Sequence, residues 1–63
     1  MNIVRTIREK KGMLIKDLSG KSGVPAQTIS DIELGAEPRV YTALKLAKAL
    51  KTNVAKLWPV DVK

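Results

Sequence analysis

The sequence contains no cysteine and no histidine. Without thiols or imidazoles it can form no disulfide, offers none of the usual zinc ligand sets, and has neither a cysteine nucleophile nor a histidine acid–base group. A disulfide-stapled secreted domain and a zinc finger are thereby excluded, and a reducing compartment suits the chain. Aromatic residues are limited to Tyr41 and Trp58, too few for the stacking platform on which binders of single strands or RNA rely. No apolar run approaches the roughly 18 residues of a membrane span. The opening Met1-Asn2-Ile3-Val4-Arg5 lacks the apolar core of a signal peptide. These absences predict a cytoplasmic protein with no membrane segment.

Catalysis finds no support either. Gly20-Lys21-Ser22 matches the tail of a phosphate-binding P-loop, but the required glycine five positions earlier is Ile15, and no strand precedes it. There is no clustered acid pair and no base beside a nucleophile. The sequence predicts no enzyme, no cofactor and no metal site.

What the chain does have is positive charge. Twelve Lys or Arg stand against six Asp or Glu, giving a net charge of +6 and a pI near 10.0. Such an excess favours a polyanionic partner, nucleic acid ahead of a membrane surface. The 63 residues are expected to form one domain, 1–63. A chain of this size buries only about 60% of its unfolded surface, so its core is thin. The start at Met1 and the lack of a trailing linker favour a small protein over a fragment of a larger regulator.

Helical periodicity dominates, and Gly and Pro divide it into five segments with no strand-like alternation. The first runs from about Ile3 to Lys11, with Ile3, Val4 and Ile7 on one face, and closes on Gly12. The second covers about Ile15 to Lys21 around Leu18. It begins after Leu14, which has no side-chain acceptor for a cap. Gly23 breaks the chain, Pro25 is expected in the first turn of a third helix, and that helix runs to about Leu34 and closes on Gly35. Ile29 and Ile32 would point inward, leaving Gln27, Ser30 and Asp31 on a polar face. The fourth helix, about Val40 to Leu50, is expected to bury a stripe of Val40, Ala43, Leu44, Ala47 and Leu50, with Lys45, Lys48 and Lys51 outside it. Asn53 would cap a last short helix holding Val54, Leu57 and Trp58, ended by Pro59. Five short helices can bury these stripes only around a shared core, which predicts an all-α, compact bundle.

From about Val4 to Trp58 the chain resembles the Cro/cI-type helix-turn-helix family, the lambda-repressor-like DNA-binding domains. The resemblance is carried by Arg8, Gly12, Leu18, the Gly23-Val24 turn, Thr28-Ile29-Ser30, Ile32-Glu33, Gly35 and Leu44-Lys45-Leu46-Ala47-Lys48-Ala49-Leu50, in that order and spacing. It implies a helix-turn-helix over about 15–34, whose first helix crosses the DNA backbone and whose second enters the major groove. It also implies an ion pair between Arg8 and Glu33, joining the first helix to the recognition helix. Where the family usually has a polar cap and a glutamine, this chain has Leu14 and Ile15, whose side chains can neither donate nor accept. Only backbone N–H groups would then grip phosphate there.

The DNA-facing residues of the recognition helix are expected to be Pro25, Ala26, Gln27, Thr28, Ser30 and Asp31. Gln27 is the best base reader, because its amide matches adenine N6 and N7. Ala26 offers a methyl to thymine, and Thr28 and Ser30 offer hydroxyls. Asp31 could accept from cytosine N4, exclude wrong sequences or hold a neighbouring lysine. Because this helix has no cation, affinity must come from flanking charge through counterion release, with Lys16 and Arg39 as the first phosphate contacts. The implied function is a sequence-specific regulator of double-stranded DNA. It would be a small repressor that binds an operator as a homodimer and is nucleoid-associated when bound. The rival reading is a protein-interaction module, such as an antitoxin-type partner, that docks through Leu14, Ile15 or Trp58.

Overall fold

The computed structural model describes residues 2–59. It contains α1 (Val4–Lys10), α2 (Ile15–Ser22), α3 (Ala26–Glu33), α4 (Val40–Ala49) and α5 (Val54–Leu57), and no strand among the described residues. This is the all-α bundle of five short helices read from the sequence. No helix is long and apolar enough to cross a membrane.

Helix α2 occupies the middle of the molecule, packed against both α3 and α4, while α1 rests on α3 and α5 on α4. The core follows from one or two large aliphatic residues per element: Val4, Leu18, Ile29, Ile32, Leu46, Leu50 and Leu57, all essentially inaccessible to water. Ile7, Met13, Ile15, Val54 and Trp58 pack around this cluster as a half-buried shell. The segment before α1 meets the end of α5 where the Ile3 N–H donates to the Leu57 carbonyl at 2.9 Å.

Two sequence expectations need correcting. Pro25 is not inside the first helical turn. It is the N-cap of α3, with ψ of 142°, and the helix begins at Ala26. The extended ψ lets its carbonyl accept from the Ile29 N–H at 3.1 Å while the ring stays outside the helix. The stripe on α4 is also rotated from the expected one. Ala43, Leu46, Ala47 and Leu50 are buried, whereas Val40 and Leu44 are exposed. Because α4 is apolar nearly all round, its own period could not select the face. The position of α2 selects it.

Helix ends are set by local backbone geometry. Gly23 sits in the left-handed region with φ of 76° and donates to the Ser19 carbonyl at 2.9 Å, which turns the chain sharply from α2 into α3. The end of α4 uses a Schellman arrangement, with Lys51 N–H bonding Lys48 O and Thr52 N–H bonding Ala47 O. Here the left-handed position is held by a lysine with φ of 56°, a conformation that disfavours a side chain by about 1–2 kcal/mol. The substitution Lys51→Gly is therefore expected to stabilise the fold by about 1 kcal/mol, after allowing for glycine's greater unfolded-state freedom. A urea midpoint that rises with unchanged slope would show it.

Candidate nucleic-acid interface

The helix-turn-helix is formed by α2, the Gly23 turn and α3. Along α3 the inward row is Ile29 and Ile32, both buried, with Val24 of the turn buried beside them. On the opposite side Pro25, Ala26, Gln27 and Asp31 are exposed, and Thr28 and Ser30 are half-buried. The structure thus brings six of the expected residues onto or beside one short helix, four of them open to solvent. The other two, Lys16 in the first turn of α2 and Arg39 at the N-cap of α4, are exposed on separate elements. Neither makes an ion pair among the described residues.

The far end of α3 is clamped. Arg8 is buried at 7% exposure, and its Nε donates to Glu33 Oε2 at 2.7 Å while Nη2 donates to Glu33 Oε1 at 3.1 Å. Its remaining nitrogen, Nη1, donates to the Met13 carbonyl at 2.6 Å. One guanidinium therefore ties together α1, the α1–α2 loop and the end of α3, with each of its three nitrogens donating once. The hydrogen bond to Glu33 lifts the Arg8 guanidinium above the usual arginine range, against an opposing pull from burial. No buried side-chain nitrogen or oxygen is left without a partner among the described residues.

Asn2 is a second anchor that the sequence did not single out. Its Nδ2 donates to the Ile32 carbonyl at 2.9 Å, and its Oδ1 accepts from the Val4 N–H at 3.1 Å. It caps the start of α1 and a carbonyl near the end of α3 at once. Since its partner on α3 lies 30 residues away, no local pattern could announce the contact.

The start of α2 is capped, although not by Leu14. Its N–H donates to Asp17 Oδ2 at 2.9 Å, half of a capping box whose other half a leucine cannot supply. A carboxylate thus already occupies part of the helix start expected to grip phosphate. Leu14 itself is 64% exposed, while Ile15 and Trp58 are half-buried against the core.

Gln27 and Asp31 are joined, with Gln27 Nε2 donating to Asp31 Oδ1 at 3.0 Å across one exposed turn. Among the described residues Asp31 holds this amide and no lysine. Glu33 is neutralised by Arg8, so the exposed face of α3 carries one negative charge with no ion-pair partner among the described residues, and α3 has no positive one. On α4, Lys45 Nζ lies 4.7 Å from the centre of the Tyr41 ring, a cation–π contact.

A search of curated proteins returned no match. A helix-turn-helix family profile matches residues 4–57, nearly all of the sequence and all five helices. By that match, and with a buried clamp behind an exposed second helix, the chain belongs to the Cro/cI-type (XRE) helix-turn-helix family of DNA-binding regulators.

Proposed function

We propose that the protein is a sequence-specific repressor that places α3 in the major groove of an operator and occludes a promoter. One observation carries the reading. One side of α3 presents Ala26, Gln27 and, one turn later, Asp31 to solvent, while Ile29, Ile32 and the Arg8–Glu33 pair fix the helix from behind. Such a helix can enter a groove without rearranging. Lys16 and Arg39 flank it as phosphate contacts, and Thr28 and Ser30 supply hydroxyls at its edge.

We propose a homodimer on a pseudo-palindromic site, with half-sites about 34 Å apart. Val40, Tyr41 and Leu44 lie exposed along α4, 52–78% accessible, beside a groove of about 360 Å³ that Val54 and Trp58 help to line. This apolar surface supports self-association more than it supports solvent exposure. The second reading, a protein-docking module, is favoured by exposed Leu14 and the acidic face of α3.

Salt-titrated binding to random and selected duplexes separates the two. A repressor is expected to lose affinity linearly on a log–log salt plot and to select a palindrome. Arg39→Ala and Lys16→Ala should each weaken all sequences alike and flatten the salt slope by about one unit, whereas Gln27→Ala should relax preference at one base pair. Absence of duplex binding at low salt would sink the repressor reading.

A further inference from the structure

The geometry points to Gln27 and Asp31 acting as one reading unit that selects exocyclic amino groups, adenine N6 and cytosine N4, and rejects guanine. The inference rests on the DNA-binding reading above and names what that reading leaves open, the base chemistry of the site.

A carboxylate can only accept, so the end of the Gln27 amide that faces Asp31 must be Nε2, and Oε1 must face elsewhere. The chemistry of the pair therefore fixes the amide's orientation. Asp31 needs only one N–H of Nε2; with the N–H anti to Oε1 given to Asp31, the syn N–H and Oε1 remain. Those two groups are what bidentate reading of adenine requires, with N–H to N7 and Oε1 to the N6 amino group. The bond to Asp31 thus orders a flexible side chain and leaves its reading edge free. Among the described residues nothing bonds Asp31 Oδ2, which serves as a second acceptor on this exposed residue.

Summed over the exposed face, the unit offers acceptors at Gln27 Oε1 and Asp31 Oδ2 and only one donor. The major-groove edge of guanine presents N7 and O6, both acceptors, and would meet a carboxylate with no cation on α3 to offset it. Cytosine N4 and adenine N6 present donors and fit. Four residues along a helix rise about 6 Å, close to two base-pair steps of about 3.4 Å. The expected half-site therefore carries an adenine under Gln27 and, one or two steps away, a cytosine under Asp31.

The test is selection of binding sites from a randomised duplex library by the wild type, Asp31→Ala, Asp31→Asn and Gln27→Ala, each checked for wild-type helicity. The wild type is expected to select the adenine and cytosine. Asp31→Ala should lose the cytosine preference by roughly tenfold or more and also loosen the adenine preference, because Gln27 is no longer held. At the same time it should bind random DNA more tightly, since a negative charge has left the interface. Asp31→Asn, with the same shape and no charge, should admit bases other than cytosine. The assignment is overturned if the wild type selects guanine at this position, or if Asp31→Ala leaves the base preferences unchanged. Either result would leave duplex binding and operator symmetry intact, so failure here is distinct from failure of the repressor reading, which would show no duplex binding at all.

Discussion

Replacing Glu33 by alanine is expected to unfold much of the protein at room temperature. The substitution leaves the Arg8 guanidinium buried, with two of its three hydrogen bonds gone and only the exposed Glu9 carboxylate, 3.9 Å away, as an opposite charge. Removing one partner of a buried ion pair destabilises by about 3–5 kcal/mol, chiefly because the other charge stays desolvated and unpaired. A core of this size supplies only about 3–5 kcal/mol in all. Loss of the cooperative urea transition, followed by circular dichroism, would show the effect. Two companions sharpen the cause. Glu33→Gln keeps the shape and an accepting oxygen, so it should lose less. The double replacement Arg8→Met with Glu33→Leu removes both charges and should recover much of the loss, as apolar substitutes for buried pairs often do. If the double variant is as unstable as Glu33→Ala, the cost does not come from an orphaned charge.

This clamp also explains why α3 can be short. Eight residues are too few to form a stable helix alone. Its inward side is held by Ile29 and Ile32, its end by Glu33 and by the Asn2 bond to Ile32, and its start by the buried Val24. The exposed half contributes little to folding, which frees Ala26, Gln27 and Asp31 to be chosen for what they contact.

Much of this was legible in sequence because the determining signals are local or carried by the family pattern. Gly23 marks the turn through backbone freedom, Asn53 marks the start of α5 by accepting from the Lys56 N–H, and the spacing of Ile29 and Ile32 sets the inward face of α3. The Arg8–Glu33 contact spans 25 residues and was reached only through family resemblance. Asn2 had no such guide, so its reach to Ile32 went unread. The spacing puts Asp31 on the polar, exposed side of α3, but leaves its partner open because a lysine or a base would satisfy a carboxylate equally well. The structure supplies the amide one turn earlier. Pro25 differs by a single position, since a proline fits equally as cap or as first helical residue until ψ is known.

The α4 face supplies the other large effect. Leu46→Ala is expected to destabilise the fold by about 2–5 kcal/mol, the usual range when a fully buried leucine leaves a cavity. Leu46 has no exposed surface and belongs to the central cluster with Leu18 and Leu50. Two residues earlier, Leu44 is 52% exposed, and Leu44→Ala should change monomer stability by no more than about 0.5 kcal/mol. The two substitutions remove the same atoms from the same helix, so propensity and unfolded-state effects nearly cancel and the difference reports burial alone. Urea denaturation of both variants at low protein concentration measures it, and equal losses would mean that α4 is rotated from the orientation described. Leu44 has a second readout. If the exposed face of α4 joins two copies on the operator, Leu44→Ala should shift sedimentation toward monomer and lower affinity for a two-half-site duplex while leaving binding to a single half-site unchanged. Leu46→Ala cannot give that pattern, because a side chain with no surface can affect a partner only by unfolding the domain that presents it.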